Sequence, residues 1–537
     1  MAAPSYTEDL TDVDLAETTT GWSAYGGGAS GLSASPDIAM QGTNCVDKNV
    51  TGAGTDKGQY FDNGSGITLP ANAHVWVWHF CGTPGLTDTR ANKGASILVG
   101  SLSTAYCQYH VEGNNTYGAS GRVARCYPID YSVRTSNGSE PYRTVTGSPG
   151  ANPRVFGGGL VTTATVKGAN VGIDAIRYGT GAYLTAGELL SAGDGSDNPC
   201  TFAGFQAQND AVSNRWGILS LVGGGYELQG RFVIGQNNAG TATLARFSDS
   251  NKSISFVDTI HAAADFTQII IDHASTVCIL TNISLTALGT TNRGRFIVNS
   301  ANPQVDVTGG TWTDIGIITL RSNSTLDGVI LRNTGQITQN GAAIENCTVN
   351  GSQASAAILS NNPQAIQNND FISDGTGHAI EITTPGTYTF TGNTFTGYAG
   401  TDGSTGNEAI YNNSGGAVTI NVAGGGDTPT IRNGSGASTT VNNNISVTLT
   451  GLKDNTEVAV YNTSTGNLIA EAEPATGGSP NNRSFTFSEQ AGVNVYITVL
   501  NLNWILPPNN RISNFVVPSV DTSIPITQVV DRTYNNP

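Results

Sequence analysis

Charge is scarce in this sequence of 537 residues. Charged residues make up 12% of it, which is about half the usual share. Only 24 residues are Lys or Arg against 40 Asp or Glu, so the formal net charge is −16. A nucleic-acid backbone is bound through concentrated Lys and Arg, and the sequence has no basic run. The composition therefore argues against nucleic acid as a partner.

Membrane segments and metal motifs are also lacking. The N-terminal stretch 1–15 is acidic and has no apolar core of a signal peptide, and no run is long enough to span a membrane. We therefore expect synthesis in a cytoplasm and no membrane insertion. The seven cysteines form no CxxC pair and the six histidines no HxxxH pair, so we expect no metal and no cofactor. At least one thiol is free because the cysteine count is odd; pairing among the four N-terminal cysteines stays open.

What the sequence does contain is typical of neutral β structure. It has 68 Gly and 38% apolar residues, enough apolar surface to exclude a disordered low-complexity chain. Long helices rich in Ala, Glu, Lys and Leu are absent. Short apolar strands separated by Gly- and Asn-rich turns remain.

Six segments share the order apolar, any, Asn or Gly, any, any, apolar. They are Leu280–Leu285, Val307–Trp312, Leu326–Leu331, Ile344–Val349, Ile366–Phe371 and Phe390–Phe395. Their third residues are Asn282, Gly309, Gly328, Asn346, Asn368 and Gly392. Asn and Gly adopt positive φ most easily, so a tight bend is expected at each. A repeat of about 22 residues with one fixed bend predicts stacked coils that bury a common core. An ordinary β-sandwich with recurring turns is the alternative.

The predicted fold class is all-β with three domains. Residues 1–190 are expected to form a jelly-roll-like sandwich, residues 191–445 a right-handed parallel β-helix, and residues 446–537 a C-terminal β-sandwich with an extended tail. The first boundary follows a small, polar stretch around 185–200. The second follows the run Asn442-Asn-Asn, after which short strands recur about every twelve residues.

This layout resembles a phage virion appendage, that is, a tail fibre, tailspike or head fibre. The six solenoid segments carry the resemblance, and the segment 169–178 is similar to the closing strand of a lectin-like jelly roll. The resemblance implies a homotrimer with an anchoring or lectin-like head, a β-helix shaft, other virion proteins as partners, and location in the virion. β-Helices also occur in pectate lyases and bacterial adhesins.

Candidate glycan-binding residues are aromatic. Sugars stack on exposed rings, which makes Trp22, Tyr25, Trp76 and Trp78 the candidates in the head. Strand alternation places Trp76 and Trp78 on one face of their strand, where core packing is the favoured alternative.

Catalysis by a tailspike would need two carboxylates. The second position of the repeat brings Asp327 and Glu345 together on adjacent coils, and this is the only acid pair that the register yields. Beside a tight bend, both are more simply interpreted as solvated residues. The sequence therefore predicts a non-enzymatic virion protein that attaches to host-surface glycans. A glycan-degrading tailspike and a purely architectural capsid or tail component are the alternatives.

Overall fold

A computed structural model of the chain describes residues 5–26, 31–36, 39–50, 52–54, 56–114, 123–163, 169–186, 219–222, 225–235, 244–247, 253–256, 267–287, 293–400, 406–423, 426–490, 492–518 and 520–532. These residues contain no α-helix, and their helical turns are short 3-10 segments such as Pro84–Leu86 and Pro363–Ala365. None of these described helices could cross a membrane. The fold is all-β, which confirms the predicted class.

The chain divides into two compact units. The first comprises residues 1–324 and 332–335, and the second comprises residues 325–331 and 336–537. The predicted domain boundaries at 190 and 445 stay predictions. The first of them lies outside the described residues.

The first unit begins with two antiparallel sheets. Its strands are β1 (Ser5–Asp14), β2 (Trp22–Tyr25), β3 (Ser33–Ser35), β4 (Cys45–Val50), β5 (Lys57–Asp62), β6 (His74–Cys81), β7 (Ala95–Leu102), β8 (Ala105–Glu112), β9 (Val123–Ile129), β10 (Arg143–Thr146), β11 (Val155–Leu160) and β12 (Ala169–Ala186). One sheet has the order β10-β8-β7-β11-β5-β2. In the other, β12 pairs with β1, β4 and β6, and β6 pairs with β9.

Apolar residues from both sheets form one core. Val75 and Val77 of β6 face Ile97 and Val99 of β7, with Phe156 of β11 beside them, and all five are buried. Burial of each such side chain stabilises the fold by about 1.5–3 kcal/mol. The N-terminal part of this unit is therefore a β-sandwich.

The rest of the first unit is a stack of parallel strands. The stack is preceded by β13 (Leu219–Val222), which pairs antiparallel with the first strand of the stack, β14 (Gly225–Leu228). The other strands of the stack are β15 (Arg231–Ile234), β16 (Leu244–Phe247), β17 (Ser253–Phe256), β18 (Gln268–Ile271), β19 (Val277–Thr281), β20 (Ser284–Ala287), β21 (Arg293–Val298), β22 (Gln304–Thr308), β23 (Thr311–Thr313) and β24 (Ile315–Thr319). The pairs β15–β18–β21–β24, β14–β17–β20–β23 and β16–β19–β22 are all parallel. Each coil thus gives one strand to each of three sheets, as in a parallel solenoid. Its right-handedness stays a prediction.

The second unit repeats this arrangement. The strands that follow along the chain are β25 (Ser324–Asp327), β26 (Ile330–Thr334), β27 (Ile337–Thr338), β28 (Ala343–Glu345), β29 (Thr348–Ser352), β30 (Ala356–Ser360), β31 (Ile366–Gln367), β32 (Asp370–Ile372), β33 (His378–Ile382), β34 (Gly386–Thr391), β35 (Thr394–Thr396), β36 (Ile410–Asn412), β37 (Ala417–Ala423), β38 (Ile431–Asn433) and β39 (Ser438–Leu452). Parallel pairs join β25–β28–β31, β27–β30–β33–β36–β38, β29–β32–β35 and β34–β37–β39.

The six repeat positions all have positive φ, between 54° at Asn282 and 67° at Gly309. The backbone N–H groups at two of these positions also bond to the adjacent coil. In the second unit the N–H of Gly328 donates to the Glu345 carbonyl at 3.0 Å, and the N–H of Asn346 donates to the Gln367 carbonyl at 3.1 Å. The bend of one coil is therefore bonded to the residue just before the bend of the next.

The second unit ends in three sheets, one of them a two-stranded pair. Their remaining strands are β40 (Glu457–Asn462), β41 (Leu468–Ala472), β42 (Gly477–Ser479), β43 (Asn482–Gln490), β44 (Asn494–Leu500), β45 (Trp504–Ile505), β46 (Arg511–Val516), β47 (Thr522–Pro525) and β48 (Val529–Val530). Strand β39 pairs with β37 of the stack in its first half and with β43 in its second, so one strand crosses the boundary predicted at 445. The tail contributes Val517 and Ile526 to the core of this region.

Cysteines form no disulfide at the described positions. Six cysteines are buried and form no disulfide with one another: Cys45, Cys81, Cys107, Cys126, Cys278 and Cys347. The pairing left open for the N-terminal four is not formed. Cys200 lies outside the described residues.

Candidate functional site

Three neighbouring strands of the second unit carry polar side chains on one face. The register aligns Glu381 of β33 with Tyr411 of β36, and Tyr411 with Arg432 of β38. Ile380 and Ile382 flank Glu381 and are fully buried. Because side chains alternate along a strand, Glu381, Tyr411 and Arg432 lie on the opposite face, side by side. We call this face, together with His378 and Glu408, the Glu381 cluster.

His378 lies between two glutamates. Its Nε2 is 3.3 Å from Glu381 Oε2, and its Nδ1 is 3.8 Å from Glu408 Oε1. The His378 and Glu408 side chains are 4% and 0% exposed, whereas that of Glu381 is 15% exposed.

Arg432 balances the enclosed charge of Glu408. Its Nη1 is 3.2 Å from Glu408 Oε1, and the backbone N–H of Asn407 donates to the other oxygen at 3.0 Å. A buried carboxylate is costly unless it is paired and hydrogen-bonded. Glu408 is therefore suited to hold Arg432 and His378 in place.

The Tyr411 ring is held from two sides. The Arg432 guanidinium carbon lies 4.4 Å from the ring centroid, and the His378 ring meets it edge-on at 5.0 Å. Both contacts restrict the ring. A fixed aromatic ring beside a carboxylate is an arrangement that a sugar can use.

Glu381 is an ionised and partly exposed group of the cluster. Its pKa lies below the ordinary value, first because His378 hydrogen-bonds to it, and also because Asn413 donates to its Oε1 at 2.8 Å. Partial burial opposes the shift without reversing it. Glu381 is thus a carboxylate at neutral pH, able to accept a hydrogen bond or a proton.

The predicted acid pair lies on another sheet of the second unit. Asp327 of β25 and Glu345 of β28 are direct partners across the strands, as the repeat register requires. Asn346 Nδ2 donates to Asp327 Oδ1 at 2.7 Å. Both acidic side chains are partly exposed.

Three of the predicted glycan-binding residues are buried, which corrects those predictions. Trp22 is 7% exposed, Trp76 1% and Trp78 4%. Trp22 belongs to the sandwich core, and Trp76 Nε1 donates to the Gly179 carbonyl. These rings have no exposed face on which a sugar could stack.

The cause of the Trp78 burial is a covering segment. Gln41 donates its N–H to Asp174 at 2.9 Å, and Met40 lines the same small space as Trp78. The predicted alternation along β6 is therefore present, but both faces are buried. The favoured alternative, core packing, accounts for Trp76 and Trp78.

Tyr25 differs from these tryptophans because it is partly exposed. It lies across Gly159, where a Cβ would meet the phenol oxygen, and its hydroxyl donates to Asp56 Oδ1 at 3.4 Å. Burial raises the pKa of Tyr25 well above 10, so its hydroxyl keeps its proton. Its role in glycan binding stays a prediction.

The Glu381 cluster was missed because its strands lack the repeat signature. Glu381 stands between Ile380 and Ile382 in a strand with no Asn or Gly bend two residues on. The sequence did offer one indication of this site, namely charged residues at positions between the apolar residues of a strand. Among the described residues, no group of three or more His, Cys, Asp or Glu could hold a metal ion.

No protein-family model matches the chain, and no curated protein matches it. Solved structures similar to it include the family 11 carbohydrate-binding module of the cellulosomal cellulase Lic26A-Cel5E of Clostridium thermocellum. That module is 13% identical, over 32% of this chain and 93% of the module, with a TM-score of 0.22. The Agl-KA catalytic domain is 12% identical, over 82% of this chain and 98% of the domain, with a TM-score of 0.16. A GH87 α-1,3-glucanase catalytic domain in complex with tetrasaccharides is 12% identical, over 82% and 86%, with a TM-score of 0.18.

These comparisons correct one prediction. The sequence favoured a non-enzymatic protein and kept a glycan-degrading tailspike as an alternative. That preference is corrected, because the solved structures found include GH87 α-1,3-glucanase catalytic domains.

Proposed function

We propose that this chain is a virion appendage of the tailspike type, which binds a host-surface glycan at the Glu381 cluster and hydrolyses it. One observation carries the proposal. A partly exposed, ionised carboxylate, Glu381, is fixed by His378 and Asn413 beside the Tyr411 ring.

Glycan binding follows from the groups that face outward. Sugar rings stack on aromatic faces, and their hydroxyls bond to carboxylates, amides and guanidinium groups. Tyr411, Glu381 and Arg432 present these three kinds of contact in one row across adjacent strands. The side chain of Asn413 adds the amide.

In the proposed hydrolysis, Glu381 is the general base. Glu381 takes a proton from a water whose oxygen bonds to the anomeric carbon, the glycosidic C–O bond breaks, and the leaving oxygen takes a proton. The leaving oxygen takes its proton from solvent water, and His378 positions Glu381 through their contact at 3.3 Å. Glu408 is a positioning residue because it is enclosed and paired with Arg432.

The assignment to a virion appendage is supported by the architecture. Parallel strands stack coil on coil, and a β-sandwich stands at the N-terminal end of the chain. The end coils of such stacks need capping elements, and assemblies of identical chains most often have closed symmetry. We extend the proposal to a homotrimer attached to other virion proteins.

Retention of the full chain on immobilised bacterial surface polysaccharide tests the binding part. Tyr411→Ala should weaken retention by about tenfold or more, in line with the loss of one stacking contact. Tyr496→Ala is the matched control. Tyr496 also has an arginine over its ring, with the Arg511 guanidinium 3.9 Å from the ring centroid, but it lies in the C-terminal region and not in the Glu381 cluster. Equal losses for the two variants would overturn the binding site.

Native mass tests the assembly. Three copies of 55.5 kDa give about 166 kDa for the trimer. A single species of that mass, resistant to SDS, is expected. A monomer at all concentrations would contradict the self-assembling appendage.

A further inference from the structure

A cavity lies in the first unit. Its volume is about 540 Å³, within the range of roughly 300–1,000 Å³ that small-molecule sites occupy. Loops at the end of the sandwich form one wall, including His74 and the segment 130–134, and Arg231 and Gln268 of the first stack form the other. We call it the Arg231 cavity.

The charges around the cavity are mainly positive. Arg134 and Arg231 line it together with one acid, Asp130. His74 is neutral at pH 7, because burial lowers its pKa to about 4. A positive excess is notable in a chain whose net charge is −16, since most of its surface repels anions.

The two arginines are held in defined positions. Arg134 Nη1 donates to the Tyr131 carbonyl at 2.8 Å, and its guanidinium lies 5.2 Å from the Tyr131 ring centroid. Arg231 and Gln268 are direct partners on neighbouring parallel strands, so their side chains lie side by side. Arg295 is the next residue in that row.

The acid in the cavity is already engaged. Asp130 Oδ1 accepts the N–H of Ser132 at 2.9 Å and its hydroxyl at 2.5 Å. These bonds place part of the negative charge on local donors. A ligand anion would therefore meet the guanidinium groups as its main charged partners.

We infer that the Arg231 cavity binds a carboxylate-bearing sugar, such as a uronic acid residue of an acidic polysaccharide. A guanidinium binds a carboxylate through two parallel hydrogen bonds. Ser132 on one wall and Gln268 on the other line the cavity and can bond sugar hydroxyls. This inference goes beyond the proposed function, because the Glu381 cluster belongs to the other unit and does not need this ligand.

Titration calorimetry on the full chain tests the inference, with trigalacturonic acid and its carboxyl-reduced counterpart as probes. The acid form should bind at least about tenfold more tightly than the reduced form. Arg231→Gln and Arg134→Gln should each weaken its binding by about tenfold. Arg332→Gln, which changes an exposed arginine of the same unit, is the charge-matched control and should leave binding unchanged.

Other outcomes overturn the inference. Equal binding of the reduced probe would remove the role of the carboxylate, and an equal loss with Arg332→Gln would show unspecific attraction. If an equal concentration of inorganic phosphate displaces the sugar, the cavity binds small anions in general and is not specific for a sugar carboxylate. Glu381→Gln should keep full affinity for the acid probe; loss of binding would place that probe at the Glu381 cluster instead. Melting curves of each variant confirm that it is folded.

Discussion

The backbone N–H of Asn369 donates to the side-chain oxygen of Asn393 at 3.0 Å. The two residues occupy the same repeat position, one after the bend, in consecutive segments. The N–H of Cys347 donates in turn to Asn369 Oδ1 at 2.8 Å, and Asn369 Nδ2 donates to the Ile344 carbonyl at 2.9 Å. Both asparagines are buried. Their side chains thus form a polar ladder inside the stack, which satisfies backbone groups that the bends leave unpaired.

Asn369→Ala should therefore destabilise the protein by about 3 kcal/mol, because it removes the partners of two buried backbone groups. The denaturant midpoint measures this loss. Asn350→Ala, at an exposed position of β29, should change stability by less than about 0.5 kcal/mol. If the two variants unfold at the same midpoint, the ladder does not support the stack.

Two glycines at the bend positions should respond differently to the same substitution. Gly328 and Gly392 have φ of 66° and 65°, so alanine is strained at both by about 1 kcal/mol. A Cβ at Gly392 would lie 2.2 Å from Asn368 Oδ1, whereas a Cβ at Gly328 meets nothing within 4 Å. Gly392→Ala should cost more stability than Gly328→Ala. An equal loss of stability in the two variants would mean that the φ angle alone sets the loss and that crowding between coils adds nothing.

The bends show how much of the fold could be predicted from the sequence. A positive φ favours Asn or Gly, so the constraint is visible at Asn282, Asn346 and the other bends. The pairing of Asp327 with Glu345 follows from that register. Burial was harder to predict. Trp76 and Trp78 share a face, but the segment at Met40 and Gln41 that closes over it has no sequence pattern.

The Glu381 cluster could not be predicted for a related reason. Glu408 and Arg432 are 24 residues apart, and their contact requires the register of β36 and β38. Neither strand carries a bend residue that would fix that register from sequence. The ionic charges of the cluster compensate one another only in the folded chain. In the sequence alone, each acid therefore looks like a solvated side chain.

Asp174 should make stability depend on pH. Burial raises its pKa from 3.8 to about 7, although the N–H groups of Gln41 and Met40 lower it in part. The unfolded chain therefore releases this proton at lower pH than the folded chain does. This group's contribution to stability falls as pH rises from about 4 to about 7, by up to about 4 kcal/mol.

Asp174→Asn should remove that dependence and stabilise the protein at about pH 8 relative to wild type. Urea midpoints at about pH 4 and about pH 8 measure the difference. Glu473→Gln, at an exposed position, serves as control and should follow the wild type at both values. If the wild-type midpoint changes between the two pH values no differently from that of Asp174→Asn, the assignment is contradicted.

The release of reducing ends from the bacterial surface polysaccharide that the chain retains tests the central claim most directly. Wild type should release them, and Glu381→Gln should reduce the rate by about 10²- to 10⁴-fold while still binding the glycan. Glu345→Gln, from the predicted acid pair on the other sheet, should keep the wild-type rate. Full activity in Glu381→Gln, or no cleavage by the wild type of the glycan that it binds, would contradict the account.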